Sequence, residues 1–408
     1  MRIVVLGGAG QMSRVTVKDL ARSQNVTEVI VADLNEKKAM ETARENGEKC
    51  RGVYVDALDQ QAVVELIKGA DCVINGCNYT VNLSVMEACL KARVNYTDLG
   101  GLFHMTREQM KMDKAFCDAG LTAVLCMGGT PGTINLLARY GVDRLDTVET
   151  IRALNGCGDW TETKAAFSVA YSIRTIMEEF TVEPVEYING EFVSVPPRSG
   201  VERIDFPAPL GSINVHYTLH SEPATFPVAW KEKGLKNVCF KLGLPPEFHE
   251  KISFLADLGF SSMEEIELKN GVKVAPLDVL EAMIQRIPRD PDAKVRDCDI
   301  LRAEVTGIKN GVETRYIVES IARENKAYQC SSTELNTGVP PSIVAQMIAS
   351  GQITRRGAFA AEMGVDPEIY FAELAKREMY VTVACQTPVG IHKFEPIEKQ
   401  RVVSNESE

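Results

Sequence analysis

The chain has 408 residues, a formal net charge of −11 and eleven cysteines. The acidic balance, with no basic stripe, argues against a nucleic-acid partner, and no apolar run reaches the ~20 residues that a membrane helix needs. The odd number of cysteines, which lack metal-ligand spacing, predicts reduced thiols and no metal site. Because a strand begins at residue 2, we expect no signal peptide and a cytoplasmic protein.

The first thirteen residues predict a dinucleotide site. A short β-branched run, Arg2–Leu6, leads into a glycine turn and then into a helical pattern over 15–22. Bare backbone in such a turn lets a pyrophosphate reach the N-terminus of the helix, and the third glycine position holds a small residue, Ser13. The predicted contacts of the cofactor here are Gly8, Ala9, Gly10, Gln11 and Met12.

A second apolar strand, over 29–32, ends at Asp33. A carboxylate at this point can accept hydrogen bonds from the ribose hydroxyls and repel a 2′-phosphate, so NAD is the predicted cofactor. Lys37 and Lys38 weaken that preference, and NADP stays possible. The alternative interpretation of Asp33 is an N-cap of the helix that follows.

Strand and helix patterns alternate as far as residue 130, which predicts a Rossmann domain over 1–130 with a doubly wound parallel sheet. Its ligands should lie at the carboxyl ends of the strands. Asp56 and Ala57 should approach the adenine, unless Asp56 caps a helix, and Asn75 and Gly76 should meet the nicotinamide ribose. Asp98 is the candidate general base, with a turn-capping role as the alternative.

Beyond residue 130 the pattern changes. Asn-Gly pairs at 189, 270 and 310 lie between β-like runs and favour the tight turns of antiparallel strands. We predict an α+β substrate-binding and dimerisation domain with a mainly antiparallel sheet over 131–335, and a C-terminal segment over 336–408 that completes the first domain. Thr130 and the free N–H groups of the helix after Gly132 could bind a substrate carboxylate.

The sequence resembles the saccharopine dehydrogenase-like oxidoreductases, and within them most closely the lysine 6-dehydrogenases. The similarity covers nearly the whole chain and rests on these segments: GGAGQMS at 7–13, VINGCNY at 73–79, NYTDLGG at 95–101, GGTPGTINLLARYGVDRLDTVETI at 128–151 and TGVPPSIVAQMIASGQITRRG at 337–357. The saccharopine reductases place an aspartate before the Pro-Gly of the turn, where this chain has Thr130.

The resemblance implies oxidation of a C–N bond, or reduction of the imine, with a nicotinamide cofactor. It favours oxidative deamination of lysine at the ε-carbon, in a homodimer or higher homo-oligomer. It also implies that Phe167 and Ser168, at the start of a helix with Lys164, face the substrate. His220 or Glu222, after the strand 212–219, could hold the amine end. The alternatives are a reductase that forms saccharopine or a carboxylated polyamine, and a non-catalytic protein that senses NAD.

Overall fold

The computed structural model describes residues 1–387 except 289 and 291. Within these residues the strands are β1 (Arg2–Leu6), β2 (Glu28–Asp33), β3 (Cys50–Tyr54), β4 (Cys72–Asn75), β5 (Asn95–Asp98), β6 (Thr122–Leu125), β7 (Thr147–Asp159), β8 (Val185–Ile188), β9 (Glu191–Ser194), β10 (Glu202–Asp205), β11 (Ser212–Tyr217), β12 (Asn237–Gly243), β13 (Ile266–Glu267), β14 (Lys273–Val274), β15 (Asp297–Lys309), β16 (Val312–Arg323), β17 (Gly357–Ala360) and β18 (Tyr380–Gln386).

The helices of the same residues are α1 (Gln11–Arg22), α2 (Glu36–Glu45), α3 (Gln60–Ile67), α4 (Asn82–Ala92), α5 (Leu102–Met110), α6 (Asp113–Asp118), α7 (Thr133–Val142), α8 (Ile173–Thr181), α9 (Glu222–Trp230), α10 (Pro246–Asp257), α11 (Pro276–Arg286), α12 (Ser332–Ala349) and α13 (Pro367–Ala375). Short 3₁₀ turns occupy Tyr79–Val81, Lys231–Lys233 and Ala361–Met363. None of the helices described is long and apolar enough to span a membrane.

The first sheet is parallel throughout, with the strand order β17-β6-β5-β4-β1-β2-β3. Its central strands are buried on both faces because helices cover each side, which is why their sequences are continuous apolar runs. The order reverses at β1, where the chain leaves towards β2 on one side and β4 on the other. This switch point opens a crevice at the carboxyl ends of the strands, and the predicted α/β fold is confirmed.

The second sheet has the order β10-β11-β12-β7-β15-β16-β18, with β8 and β9 attached beside β12. All its pairs are antiparallel except β7 with β12. Asn310 and Gly311, at φ of +52° and +79°, form the tight turn between β15 and β16. The mainly antiparallel second domain is therefore confirmed, and the alternation of apolar and polar residues along β15 is its cause.

The C-terminal part of the described chain returns to both sheets. Helix α12 packs on α1, and β17 pairs with β6 at the edge of the first sheet. Strand β18 instead pairs with β16 in the second sheet. The prediction that all of 336–408 completes the first domain is therefore wrong for β18, because the free edge of the long hairpin offers it seven paired residues. Residues 388–408 lie outside the described part.

Helices α7, α9 and α12 lie between the two sheets and bring the carboxyl edge of the first sheet against the second domain. Helix α7 packs on β15 and β16, and α9 packs on α5 and β12. A Cβ on Gly338 would lie 2.5 Å from the Met12 carbonyl oxygen, so glycine is what lets α12 approach α1 this closely. The crevice is thus closed on one side by α12 and faced by the second sheet.

Candidate active site

The glycine turn forms a cradle for a pyrophosphate. Gly7 has φ of +64°, and a Cβ on Gly8 would lie 2.8 Å from Val31 Cγ1, so neither position accommodates a side chain. Gly10 is the N-cap of α1, and no described side chain caps this helix end. The first N–H groups of α1 therefore point into the crevice beside bare backbone, which is the donor set that a pyrophosphate requires.

Asp33 lies beside this turn at the end of β2. One carboxylate oxygen accepts a hydrogen bond from the Ala9 N–H at 3.1 Å, and the other accepts one from the Asn35 N–H at 2.9 Å. The cap of α2 is Asn35, whose side chain accepts from the Lys38 N–H. The alternative interpretation of Asp33 as the helix cap is therefore wrong, and the carboxylate stands at the ribose end of the cradle.

Asp56 follows the neighbouring strand β3. Its carboxylate accepts from the Leu58 N–H at 2.9 Å, whereas Asp59 is the residue that caps α3. The capping alternative for Asp56 is thus wrong as well. Asp56 and Ala57 are half-buried beside the end of β2, since the Val55 N–H donates to the Asp33 carbonyl. Their predicted position beside the adenine stays a prediction.

Asn75 ends β4 and Gly76 follows it at the switch point, but the Asn75 side chain does not face the crevice as predicted. Gly76 lies directly against the glycine turn, where a Cβ would overlap the buried Ser13 hydroxyl. Asn75 is 1% exposed, and its amide donates to Asn82 Oδ1 at 2.9 Å instead of facing the crevice. The buried Asn75 amide is therefore not available to the nicotinamide ribose, and the predicted contact of the Gly76 backbone stays a prediction.

Asp98 lies at the end of β5 among hydrogen-bond donors. The residue is 1% exposed, and one oxygen accepts from the backbone N–H groups of Cys126 and Gly100 at 2.7 and 3.0 Å. The other accepts from the Tyr96 hydroxyl at 2.9 Å and the Gln109 amide at 2.5 Å. Burial raises the pKa of Asp98 although these donors oppose it. These bonds give the carboxylate a structural role, in which it ties β5 to the loop after β6, and the bond from Gly100 fits the turn-capping alternative. The role of Asp98 as a base stays a prediction.

The Gly128–Gly132 turn contacts both the loop after β5 and helix α12. Gly100 packs on Pro131, and Gly129 packs on Asn336 of α12. The N–H groups of Thr133 and Ile134 donate to the carbonyls of Gly128 and Gly129, so the start of α7 does not offer the free donors that were predicted. Thr130 is half-buried, and only its hydroxyl and backbone remain for a substrate carboxylate.

Phe167 and Ser168 do not lie where the family resemblance implied. The chain over 163–169 is irregular and α8 begins only at Ile173, after the N-cap Ser172. Phe167 stacks on Phe248 with ring centroids 5.5 Å apart, and Ser168 is exposed. The prediction that they open a helix is wrong, because a serine cap ends the irregular stretch later. Their contact with substrate stays a prediction.

His220 and Glu222 form a buried pair. His220 Nδ1 lies 2.5 Å from Glu222 Oε2, and the imidazole stacks on Phe240 with centroids 3.9 Å apart. Burial lowers the pKa of His220, but the Glu222 carboxylate raises it more, so the net shift is upward. The imidazolium form is thereby favoured. Ser221 Oγ is 3.0 Å from Thr106 Oγ1 in the first domain, which fixes the pair at the carboxyl end of β6.

Two further carboxylates, which the sequence did not single out, complete what we call the acidic cluster: Glu179, Glu222 and Glu362 with His220. Glu362 follows β17 at the carboxyl edge of the first sheet and accepts from the Asn135 amide at 2.9 Å. Glu179 of α8 accepts from the Tyr171 hydroxyl. The charge of Glu222 raises the pKa of both other carboxyls, although burial is the larger cause.

The acidic cluster is short of cations. Its carboxylates are at most 4% exposed, and Oε1 of Glu222 and Oε1 of Glu362 have no hydrogen-bond partner among the described residues. Within the same residues, the three carboxylates form one ion pair, which joins Glu222 to His220. Buried carboxylate oxygens without partners are costly, so this arrangement favours a cationic ligand. A sequence signal existed for Glu179, which shares the apolar face of α8 with Ile176 and Phe180.

A doubly wound sheet with a glycine turn and an acidic residue at the end of the second strand is typical of the domains that bind nicotinamide dinucleotides. Residues 3–124 match the saccharopine dehydrogenase NADP binding domain and residues 128–379 match the saccharopine dehydrogenase C-terminal domain. The chain therefore belongs to the saccharopine dehydrogenase family, as its motifs indicated, and its first domain is the dinucleotide-binding domain of that family.

Its curated relatives include enzymes of polyamine chemistry. The chain is 27% identical over 365 residues to carboxynorspermidine synthase of Vibrio alginolyticus, with 85% of each chain covered. It is 24% identical over 396 residues to carboxyaminopropylagmatine dehydrogenase of Synechocystis, covering 92% of this chain and 96% of that one.

Solved structures share the fold over almost the whole chain. Saccharopine dehydrogenase (L-Glu forming) of Saccharomyces cerevisiae superposes with a TM-score of 0.71 at 16% identity, covering 95% of this chain and 100% of that one. Homospermidine synthase of Legionella pneumophila, in complex with NAD, gives 0.66 at 12% identity, covering 97% and 94%. At these identities the likeness establishes the two-domain architecture.

Proposed function

We propose that the protein is an NAD(P)-dependent reductase that joins a polyamine to an amino-acid aldehyde and so forms a carboxylated polyamine. The observation that carries the proposal is the acidic cluster: of its three buried carboxylates, only that of Glu222 forms an ion pair within the described residues, and its partner is His220. An amine that is protonated at neutral pH supplies the missing positive charge. A substrate with several carboxylates, such as saccharopine, would need arginine or lysine at this position.

The names of the curated relatives support the same substrate class, since both products are polyamines that carry a carboxyl group. Their similarity extends over 85% or more of this chain, and thus over both domains. The agreement between the relatives and the charge of the cluster is the reason to prefer this reaction to the release of ammonia from lysine.

In the proposed reaction the amine condenses with the aldehyde to form an imine, with loss of the aldehyde oxygen as water, and the imine is then reduced to a secondary amine. The bound nicotinamide supplies the hydride that adds to the imine carbon. The nitrogen then needs a proton, and we assign its delivery to His220, because Glu222 favours the charged form of the imidazole and stacking on Phe240 fixes the ring. In the opposite direction the same imidazole accepts the proton from the secondary amine.

The choice between the two dinucleotides depends on the end of β2. Asp33 opposes a 2′-phosphate, whereas Lys37 and Lys38 follow it within one helical turn. We infer that NAD is accepted. Asp33→Ala should raise the KM for NAD and leave turnover at saturating cofactor unchanged. Separate titrations with NAD and NADP would measure both quantities.

The experiment offers the purified protein reduced cofactor, a short diamine and an amino-acid aldehyde, and follows the loss of reduced nicotinamide with mass spectrometry of the product. We expect a carboxylated polyamine. His220→Gln should lower kcat about 10²- to 10⁴-fold, the range of a lost general acid. His104→Gln, on the exposed side of α5, is the matched control and should leave kcat unchanged.

Two outcomes would refute the proposal. The first is reduction of NAD by lysine with release of ammonia, in the absence of any reaction with diamines. The second is no turnover of any amine while the dinucleotide still binds, which would instead favour the sensing alternative.

A further inference from the structure

We propose that Glu179, oriented by Tyr171, binds the second ammonium group of the amine substrate and makes the enzyme selective for diamines over monoamines. This inference rests on the proposed function and names the substrate class of the same site. Glu179 is 4% exposed, and one of its oxygens accepts from the Tyr171 hydroxyl.

The position of Glu179 relative to the reacting end carries the argument. The next residue of α8, Phe180, packs edge-on against His216 of β11, the strand that leads to His220, with ring centroids 5.6 Å apart. The charge of Glu179 also interacts with those of His220 and Glu222. Glu222 Oε1 is fully buried and unpartnered in the described structure, so this acceptor lacks a donor. A short diamine presents one nitrogen to Glu222 and a second nitrogen to Glu179, whereas a monoamine has a single nitrogen.

The groups near Glu179 set the pKa of its carboxyl group. Burial raises its pKa to about 7, His220 and the Tyr171 hydroxyl lower it, and Glu178 and Glu222 raise it. Without ligand the carboxyl is close to half protonated at neutral pH. A bound ammonium favours the ionised form, so diamine affinity should increase as the pH rises through about 7, and monoamine affinity should not follow this step.

Helix α8 also provides a matched control for Glu179. Glu178 is the adjacent residue and bears the same charge, but its carboxylate accepts from the Tyr79 hydroxyl at 3.1 Å and so faces the first domain. Glu178→Gln changes the net charge as Glu179→Gln does. An effect that follows charge alone would appear in both variants, whereas recognition of the second ammonium requires Glu179.

The test measures kcat/KM for 1,3-diaminopropane and for propylamine with the same amino-acid aldehyde and reduced cofactor. We expect the wild type to prefer the diamine, and Glu179→Gln to lower that preference about 10- to 100-fold, the range of one charge-assisted hydrogen bond. Propylamine should change little, and Glu178→Gln should keep the wild-type ratio. Tyr171→Phe should lower the ratio of the two kcat/KM values by a smaller factor. This variant replaces Glu179→Gln in the test if Glu179→Gln does not fold.

The outcomes separate the two proposals. If the wild type turns over neither amine, the proposed function fails. If it turns over both equally, or if Glu179→Gln and Tyr171→Phe retain the wild-type ratio, the reductase assignment stands and the role of Glu179 is refuted.

Discussion

Replacing Asp98 by asparagine should destabilise the fold far more than it slows the chemistry. The two carboxylate oxygens accept four hydrogen bonds of 3.0 Å or less from Tyr96, Gly100, Gln109 and Cys126. In an asparagine one of these oxygens becomes an NH₂ group that faces two donors and accepts from neither. At about 1.5–3 kcal/mol for each bond to a charged group, the variant should lose about 3–6 kcal/mol.

The assay is urea unfolding at neutral pH, followed by fluorescence and by far-ultraviolet circular dichroism, together with kcat under conditions where the variant is folded. Asp56→Asn is the control, because Asp56 is half-buried and its side chain accepts one short backbone bond, from Leu58. It should lose less than about 1 kcal/mol. An Asp98→Asn variant that unfolds like the wild type, with kcat lowered 10²-fold or more, would refute this reasoning and support Asp98 as the base.

Three further perturbations follow from the packing. Gly338→Ala should clash with the Met12 carbonyl, cost about 1–3 kcal/mol and raise the KM for the dinucleotide, which denaturation and cofactor titration would measure; an unchanged KM would contradict it. His216 is 3% exposed, and burial and His249 lower its pKa to about 4 from 6.5. Stability should therefore fall by about 3 kcal/mol as the pH drops from about 6.5 to 4, and less in His216→Phe; equal slopes in the two melting profiles would exclude this origin. Tyr79→Phe removes the bond to Glu178 across the crevice and should raise the KM for the diamine and for the monoamine by the same severalfold factor with kcat maintained; a rise in only one KM, or a fall in kcat alone, would count against this closure.

Much of the first domain could be predicted because its information is local. The strand, glycine turn, helix and acid that make the cofactor cradle occupy residues 2–33 without interruption, and each step follows from steric or hydrogen-bonding preferences of neighbouring residues. The hairpin at Asn310-Gly311 was predictable for the same reason, since alternation and turn type both lie within one segment.

The sequence by itself therefore determined the parallel sheet, its glycine cradle and the antiparallel character of the second domain. Tertiary structure alone decided which carboxylates form the acidic cluster. Glu179, Glu222 and Glu362 come from separate segments that only the docking of α8, α9 and β17 brings together, while Asp98, at a strand end of the expected kind, is enclosed by donors from other elements. Burial and hydrogen-bond partners are set by packing between distant parts of the chain, and a local pattern cannot specify them.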